Sequence, residues 1–441
     1  MSYLAAIEEL RKMTPELHPG PGGRRRKFSL DQVRILLTAL GGPEQKFPSV
    51  LIAGTNGKGS TAATLASILI ASGLRTGLYT SPHLERVNER VQVNNVQITD
   101  EDFARKFFEV RETAERLVST GELVETPSYF ETLTALAFSW FAEVGVEAAV
   151  VEVGLGGRLD ATNVVEPLVS IVTDISMDHM EWLGSTIDAI AREKAGILRR
   201  GGIMVTLPQL PEASKVLDEV AAELGSRSVS AVRYLPSVEG DSRPYRLEVL
   251  GKTIEVRSPL KGAHQHRNVA LAIAAAVELK DQFKFPVSAE SIAAGVAETV
   301  WPGRLERFEG LGVDWVLDVA HNPAGAWALR SGLQDLLKDA EPACLVFSCL
   351  RDKPVREMAQ ILFPLFTSIV LAPLHGARAT EMDDLAAAAE QAGTPYVRAV
   401  SVVEALSIAQ EQAQGGIAVV SGSVYLVGET RTWLRAQGVK G

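Results

Sequence analysis

The chain has 441 residues, of which 46% are hydrophobic and 22% charged, and it carries a formal net charge of −10. That length exceeds one ordinary core and calls for two domains, while the composition is that of a globular protein. The acidic balance argues against nucleic acid or an anionic membrane surface as the main target.

No apolar run approaches the ~18 residues of a membrane span, and the N-terminus lacks a leader pattern. Cys344 and Cys349 fall on one apolar stretch and read as small core residues rather than a disulfide or metal pair. A cytoplasmic protein that works as a monomer, with no nucleic-acid and no membrane partner, is therefore expected.

In chain order, Tyr3 to Met13 and Leu30 to Leu40 read as peripheral helices around a Pro/Gly loop and a basic run, Arg24 to Lys27, that reads as a solvated loop. Val50 to Ala53 is a short buried strand, and it runs into Gly54-Thr-Asn-Gly-Lys-Gly-Ser60. The helix is expected to begin at Thr61, with Ala62, Leu65, Ala66, Leu69 and Ile70 at core spacing. Strand, glycine turn, one lysine, hydroxyl and helix together form a phosphate cradle: backbone N–H groups and the helix N-terminus face the anion, and Lys58 adds a full charge. The match to the usual P-loop string is imperfect. Ile52 stands where its first glycine should be, and Gly59 separates Lys58 from Ser60. A glycine turn without a ligand is the bland alternative, and the lysine and hydroxyl weigh against it.

Strands are expected at Thr76 to Thr80, Glu147 to Val153, Leu168 to Asp174 and Ile203 to Leu207, with helices at Phe103 to Val118, Tyr129 to Val144 and Ile187 to Leu198. Five strands alternating with helices make a doubly wound, mainly parallel α/β sheet. Val229 to Val256 reads as a small antiparallel patch, followed by helices His266 to Leu279 and Ala289 to Thr299. Trp301-Pro-Gly-Arg304 then marks a boundary, placing one domain at 1–300 and the other at 301–441. Beyond it the pattern restarts as a Rossmann-like α/β domain: strands from Trp315, Ala343, Ser368 and Ile417, and helices from Ala324, Val355, Met382 and Val402.

Ser81, Glu152 and His179 each follow or end a strand of the first sheet, where open α/β sheets bind ligands. A hydroxyl, a carboxylate and an imidazole beside a phosphate loop fit one or two Mg²⁺ ions completed by water and phosphate oxygens. Taken singly, Glu152 has the bland alternative of pairing with a lysine, and His179 that of an ordinary loop histidine; the company of the phosphate loop favours metal ligation. Lys194 lies on a helix near this mouth, and spacing alone leaves a surface ion pair equally open. Asp318-Val-Ala-His-Asn-Pro323 is the counterpart in the second domain: Asn322 caps a helix with Pro323 in its first turn, which leaves Asp318 at the strand end unexplained. The glycines at 154–157 imitate a dinucleotide fingerprint, which fails at Leu159.

These strings, with Tyr79-Thr-Ser-Pro-His-Leu84, Tyr129-Phe-Glu131, Glu152-Val-Gly-Leu-Gly-Gly-Arg-Leu-Asp-Ala-Thr-Asn163, Asp178-His179, Arg192-Glu-Lys-Ala-Gly196 and Pro302-Gly-Arg304, together resemble the Mur ligase superfamily. Within it they are similar to the folylpolyglutamate synthase/dihydrofolate synthase enzymes. The resemblance implies an N-terminal P-loop ATPase domain and a C-terminal Rossmann-like glutamate-ligase domain, with ATP as co-substrate between them. It assigns Thr55, Asn56, Gly57, Lys58, Gly59 and Ser60 to the phosphates, and Asn268, Arg304 and Asp318 to the rest of the nucleotide. Ser81, Glu152 and His179 become the Mg²⁺ ligands, Lys194 a carbamylated lysine, and His321 a group that positions the intermediate or the amine. Phe28, Ser29 and Leu30, then Ser128, Tyr129, Phe130 and Glu131, then Leu159, Asp160 and Ala161, match acceptor-site segments. The expected reaction joins L-glutamate to dihydropteroate or a reduced folate through an acyl phosphate. A P-loop regulatory module without ligase activity is the alternative.

Overall fold

The apolar run after Pro48 forms strand β1 (Ser49–Ala53), buried along its whole length, and the first sheet is built around it. A computed structural model describes residues 2–13, 29–237, 244–338, 342–376 and 378–440. The other strands of this sheet are β2 (Thr76–Tyr79), β3 (Val91–Val93), β4 (Val96–Gln97), β5 (Ala148–Glu152), β6 (Val169–Val172), β7 (Ile203–Thr206) and β8 (Arg227–Ser230). Their spatial order is β4-β3-β2-β5-β1-β6-β7-β8, parallel from β2 to β8. The doubly wound sheet is thus larger than its five expected strands. The additions are β3 and β4, an antiparallel extension on the β2 edge, and β8 on the other edge.

Both additions have local causes. Asn94 and Asn95, between β3 and β4, adopt φ of 52° and 61°. Paired positive-φ asparagines make the tight turn whose twist matches a hairpin. The polar stretch from Val229 divides in two. Its start is a parallel edge strand rather than part of an antiparallel patch, and only β9 (Tyr245–Val249) with β10 (Lys252–Val256) forms the separate antiparallel hairpin.

The second sheet comprises β11 (Glu306–Gly310), β12 (Val313–Leu317), β13 (Ala343–Phe347), β14 (Ser368–Leu371), β15 (Tyr396–Arg398) and β16 (Ile417–Ser421), ordered β11-β12-β16-β13-β14-β15. Only β11 is antiparallel to its neighbour. Helices Pro211–Leu224 and Val424–Ala436 complete the two units; the sequence reading assigns neither. Cys344 lies on β13 and Cys349 just beyond it, both buried free thiols, as the core reading requires. No described helix is long and apolar enough to cross a membrane.

Each sheet buries apolar side chains on both faces, which is why its strands read as continuous hydrophobic runs. On one face of the first sheet Phe138 lies fully buried between Phe47 and Tyr79, with ring centroids 5.9 and 6.3 Å away. On the other, helix Lys58–Ala71 is covered by helices Ala263–Phe283 and Ala289–Ala297, and Gly295 allows direct contact: a Cβ there would lie 2.4 Å from Ile68 Cα. The phosphate-loop helix is therefore fixed on every side. Phe138→Ala should cost about 3–5 kcal/mol, read as a lower urea midpoint for unfolding of the first sheet.

Candidate active site

The carboxyl ends of β1, β5 and β6 open onto one cavity of about 520 Å³, shared with the carboxyl end of β12 and the helix that follows it. Gly54 leaves β1 at φ 151°, and Gly57 enters the helix at φ 89°, in the left-handed region. Helix Lys58–Ala71 begins three residues before the expected Thr61, so Lys58, Gly59 and Ser60 form its first turn. The cause is Gly57, which completes the turn from the strand early. The loop is tied down by its backbone: Thr55 and Asn56 N–H groups donate to Asp174 O at 2.8 and 3.2 Å. A bidentate Arg267 guanidinium holds the Asp174 carboxylate in turn.

Two lysines meet this loop, Lys58 half-buried and Lys194 buried. Lys58 Nζ donates to the carbonyls of Gly54 and Thr55, each at 3.1 Å, and Lys194 Nζ donates to Gly54 O at 2.8 Å. Burial, and then the Lys58 charge, pulls the Lys194 amine down to about 7. Burial also lowers Lys58, with Glu152 and Asp178 opposing it. Lys194 is 4% exposed, which removes the surface ion-pair reading.

Glu152 ends β5, 4% exposed, and its Oε2 accepts the Ser81 N–H at 3.1 Å. Burial raises its pKa against the pull of Lys58. His179 sits at φ 49°, and burial lowers it to about 4, so its ring is neutral near pH 7. Ser81, Glu152 and His179 all line the cavity. No three His, Cys, Asp or Glu side chains among the described residues form a metal cage by themselves. One buried carboxylate and one hydroxyl, with room for phosphate oxygens, is the donor set of a hard cation that completes its shell from substrate and water. The residues therefore fit Mg²⁺, with the His179 nitrogen as the unusual member.

The second sheet supplies the opposite wall. Asp318 accepts N–H bonds from Leu305 at 3.0 Å and Ala320 at 2.9 Å, and burial raises its pKa while Arg304 pulls it down. His321 Nδ1 lies 2.9 Å from Val319 O; a carbonyl only accepts, so Nδ1 carries the proton and Nε2 is the free base. Burial lowers this imidazole to about 4. Asn322 caps helix Pro323–Leu337 through Gly325 N and exchanges amide hydrogen bonds with Asn56 of the phosphate loop, at 3.0 and 3.3 Å. Its Nδ2 also reaches Asp178 Oδ2 at 3.0 Å, while Lys353 Nζ meets Asp178 Oδ1 at 2.6 Å. Burial alone would raise the Asp178 carboxyl; His179, Lys353 and His321 hold it below the ordinary range instead. Asn268, from helix Ala263–Phe283, faces Gly57 closely.

The expected acceptor residues do not form one pocket. Ser29, Ser128, Glu131, Leu159, Asp160 and Ala161 line a small cavity of about 140 Å³. Tyr129 and Phe130 instead face a cavity of about 500 Å³ with His83, Arg90 and Tyr425. A helix start explains the division: Ser128 is the N-cap and Glu131 closes its capping box, so the intervening rings point elsewhere. Leu30 is a core residue on its helix, and Phe28, like Arg24 to Lys27, lies outside the described residues. The Asp160 carboxylate is taken up by Leu155 N, Thr162 N and Thr162 Oγ1, and so shapes the loop. Sequence reasoning missed Lys353, Arg90 and the Asn56–Asn322 pair. Only the fold makes these neighbours, although a lysine just past a buried strand was a usable signal.

Residues 52–276 match the Mur ligase middle domain and residues 303–424 the Mur ligase glutamate ligase domain. A dihydrofolate synthase/folylpolyglutamate synthase of Bacillus subtilis (strain 168) is 34% identical over 415 residues, covering 93% of this chain and 95% of that one. A folylpolyglutamate synthase of Lacticaseibacillus casei is 37% identical over 350 residues, covering 78% and 81%. The chain belongs to the folylpolyglutamate synthase/dihydrofolate synthase family. The crystal structure of the Mycobacterium tuberculosis folylpolyglutamate synthase, complexed with ADP and AMPPCP, superposes with a TM-score of 0.86 at 32% identity, over 98% of both chains. As a folylpolyglutamate synthase/dihydrofolate synthase family member, this protein is an ATP-dependent, amide-forming ligase.

In this family member a Cβ on Gly57 would stand 2.2 Å from Asn268 Oδ1, on a backbone already at positive φ. Gly57→Ala should therefore weaken ATP binding by at least tenfold (about 1.4 kcal/mol), measured by titration calorimetry, and Asn268→Ala in the same chain should recover only part because the backbone strain remains.

Proposed function

We propose that the protein joins L-glutamate to dihydropteroate, to a reduced folate, or to both, with ATP bound in the larger cavity between the sheets. The observation that carries this reading is the convergence on that cavity of Lys58, Lys194 and Glu152 from the first sheet with Arg304, Asp318 and His321 from the second. In this reading residues 1–300 form the nucleotide domain and 301–441 the glutamate-ligase domain. The protein is read as a monomer, and the co-substrates together with free thiols suit the cytoplasm.

Lys58 and the N–H groups of Thr55 to Ser60 hold the phosphates, and Asn268, Arg304 and Asp318 hold the rest of the nucleotide. Glu152 and Ser81, with His179, would hold Mg²⁺, which neutralises charge on the phosphates when bound. An acceptor carboxylate oxygen attacks the γ-phosphorus; the new P–O bond forms as the bond to ADP breaks. The glutamate nitrogen then attacks the acyl carbon, and phosphate leaves with the electron pair. His321 Nε2, a free base near pH 7, is placed to take the proton lost by the amine. Closure of the second sheet over the loop keeps water from the acyl phosphate.

Phosphate release in the presence of ATP and Mg²⁺ should require both glutamate and dihydropteroate or tetrahydrofolate, and Lys58→Ala should lower it at least 10³-fold. Release without either organic substrate, or wild-type turnover in the variant, contradicts the reading.

Lys194, buried and brought to about 7, is a free amine above that pH and an ammonium below it. Only the free amine attacks CO₂, forming an N–C bond and releasing a proton, to give a carbamate beside the Lys58 charge. After CO₂ is stripped at low pH, activity regained on adding bicarbonate should therefore rise as pH passes through about 7, and Lys194→Met should show no regain at any pH. A regain that is flat across this range contradicts the carbamate.

A further inference from the structure

The segment that bears Ser81 belongs to the first sheet, yet its far end is built into the second. Thr80 N–H donates to Arg90 O at 3.0 Å, and the Glu89 carboxylate accepts the N–H groups of Leu84, Glu85 and Arg86 at 2.7, 3.0 and 2.9 Å. These bonds make residues 80–90 a closed, stiff turn with Ser81 on one side. Leu84 packs against the apolar core of the second sheet, a cluster that includes Val319 and Leu426. Its carbonyl lies directly on helix Val424–Ala436, where a Cβ at Gly428 would be 2.0 Å from Leu84 O. Glycine in a helix interior is unfavourable, so here it marks a close approach.

The same helix adds an ion network. Arg431 Nη1 donates to Glu85 Oε1 at 2.5 Å and Arg431 Nε to Glu306 Oε1 at 3.0 Å, with side chains 11%, 15% and 18% exposed. Glu306 Oε2 also accepts the Gly303 N–H at 2.8 Å, next to Arg304. One guanidinium thus ties the turn that carries Ser81 to the stretch that carries Arg304. Glu85 and Arg431 border a cavity of about 370 Å³ that extends to Ser81 and Glu152.

We propose that the last helix is a positioning element for the metal-bearing edge of the active site. Arg431, through Glu85, and Gly428, through the Leu84 backbone, set Ser81 against Glu152, so that seating of the second sheet determines how well the cation is held. Arg431 and Gly428 line neither the large cavity between the sheets nor the two cavities that hold the expected acceptor residues; they act through the turn. The inference rests on the proposed reading of Ser81 and Glu152 as metal ligands.

Arg431→Met leaves Glu306 without its guanidinium and Glu85 with Arg435 alone, and Gly428→Ala presses a Cβ onto the Leu84 carbonyl, so the folded fraction of each is measured alongside. Gly428→Ala, which displaces the turn without removing a charge, is the deciding variant. The readout is the Mg²⁺ concentration at half-saturation, measured both by titration calorimetry on protein loaded with a non-hydrolysable ATP analogue and from phosphate release under saturating ATP and glutamate. Gly428→Ala and Arg431→Met should each raise it by about tenfold, with Arg431→Lys in between, whereas a loss of folded protein alone would lower kcat and leave that concentration unchanged. A wild-type Mg²⁺ dependence in Gly428→Ala overturns the proposal. Ser81→Ala, run alongside, then locates the failure: a shifted curve in that variant puts it in the helix, an unshifted one in the reading of Ser81.

Discussion

A single carbonyl oxygen, that of Gly54, accepts hydrogen bonds from the amino groups of two lysines, Lys58 and the buried Lys194. Concentrating positive charge in a closed cavity is costly unless negative charge is brought to it. Much of the site follows from that constraint. Glu152 is carried in on the end of β5, and Asp178 stands across the cavity, itself held by Lys353 from the second sheet. In the proposed function, a polyphosphate entering such a cavity meets charge already in place.

The two sheets are not simply neighbours across a cleft. Asn56 of the phosphate loop and Asn322 of the second-sheet helix cap satisfy each other's amides, and the same Asn322 reaches Asp178. An amide pair of this kind is directional: each side chain offers both a donor and an acceptor, and only one relative placement satisfies both. It therefore fixes the register of one sheet against the other at the point where the phosphates would lie.

Most of the fold was legible because buried parallel strands announce themselves as apolar runs. The helices at Tyr129, Met382 and Val402 begin and end as their periodicity requires. The losses came where local signal is weak or was misapplied. Three-residue strands such as β3 and β15 carry too few residues for a period, and β8, with exposed polar side chains, looks like a hairpin arm until its neighbour is known. At the site, the phosphate loop and the strand-end residues were readable from chemistry alone. The division of residues 128–131 between two cavities was not, because it depends on where one helix is capped. Neither was the use of Asp160 as a loop anchor, since a carboxylate that binds backbone and one that faces a ligand read alike in sequence.

That anchor has a reach beyond its own turn. Asp160 holds the Leu155 N–H at 2.8 Å, and Leu155 borders the large cavity between the sheets and both cavities that divide the expected acceptor residues. One side chain is the common partition of three chambers. Enlarging it to suit one occupant takes room from the other two, so this position resists adaptation toward a new acceptor even though it makes no polar contact with any of them.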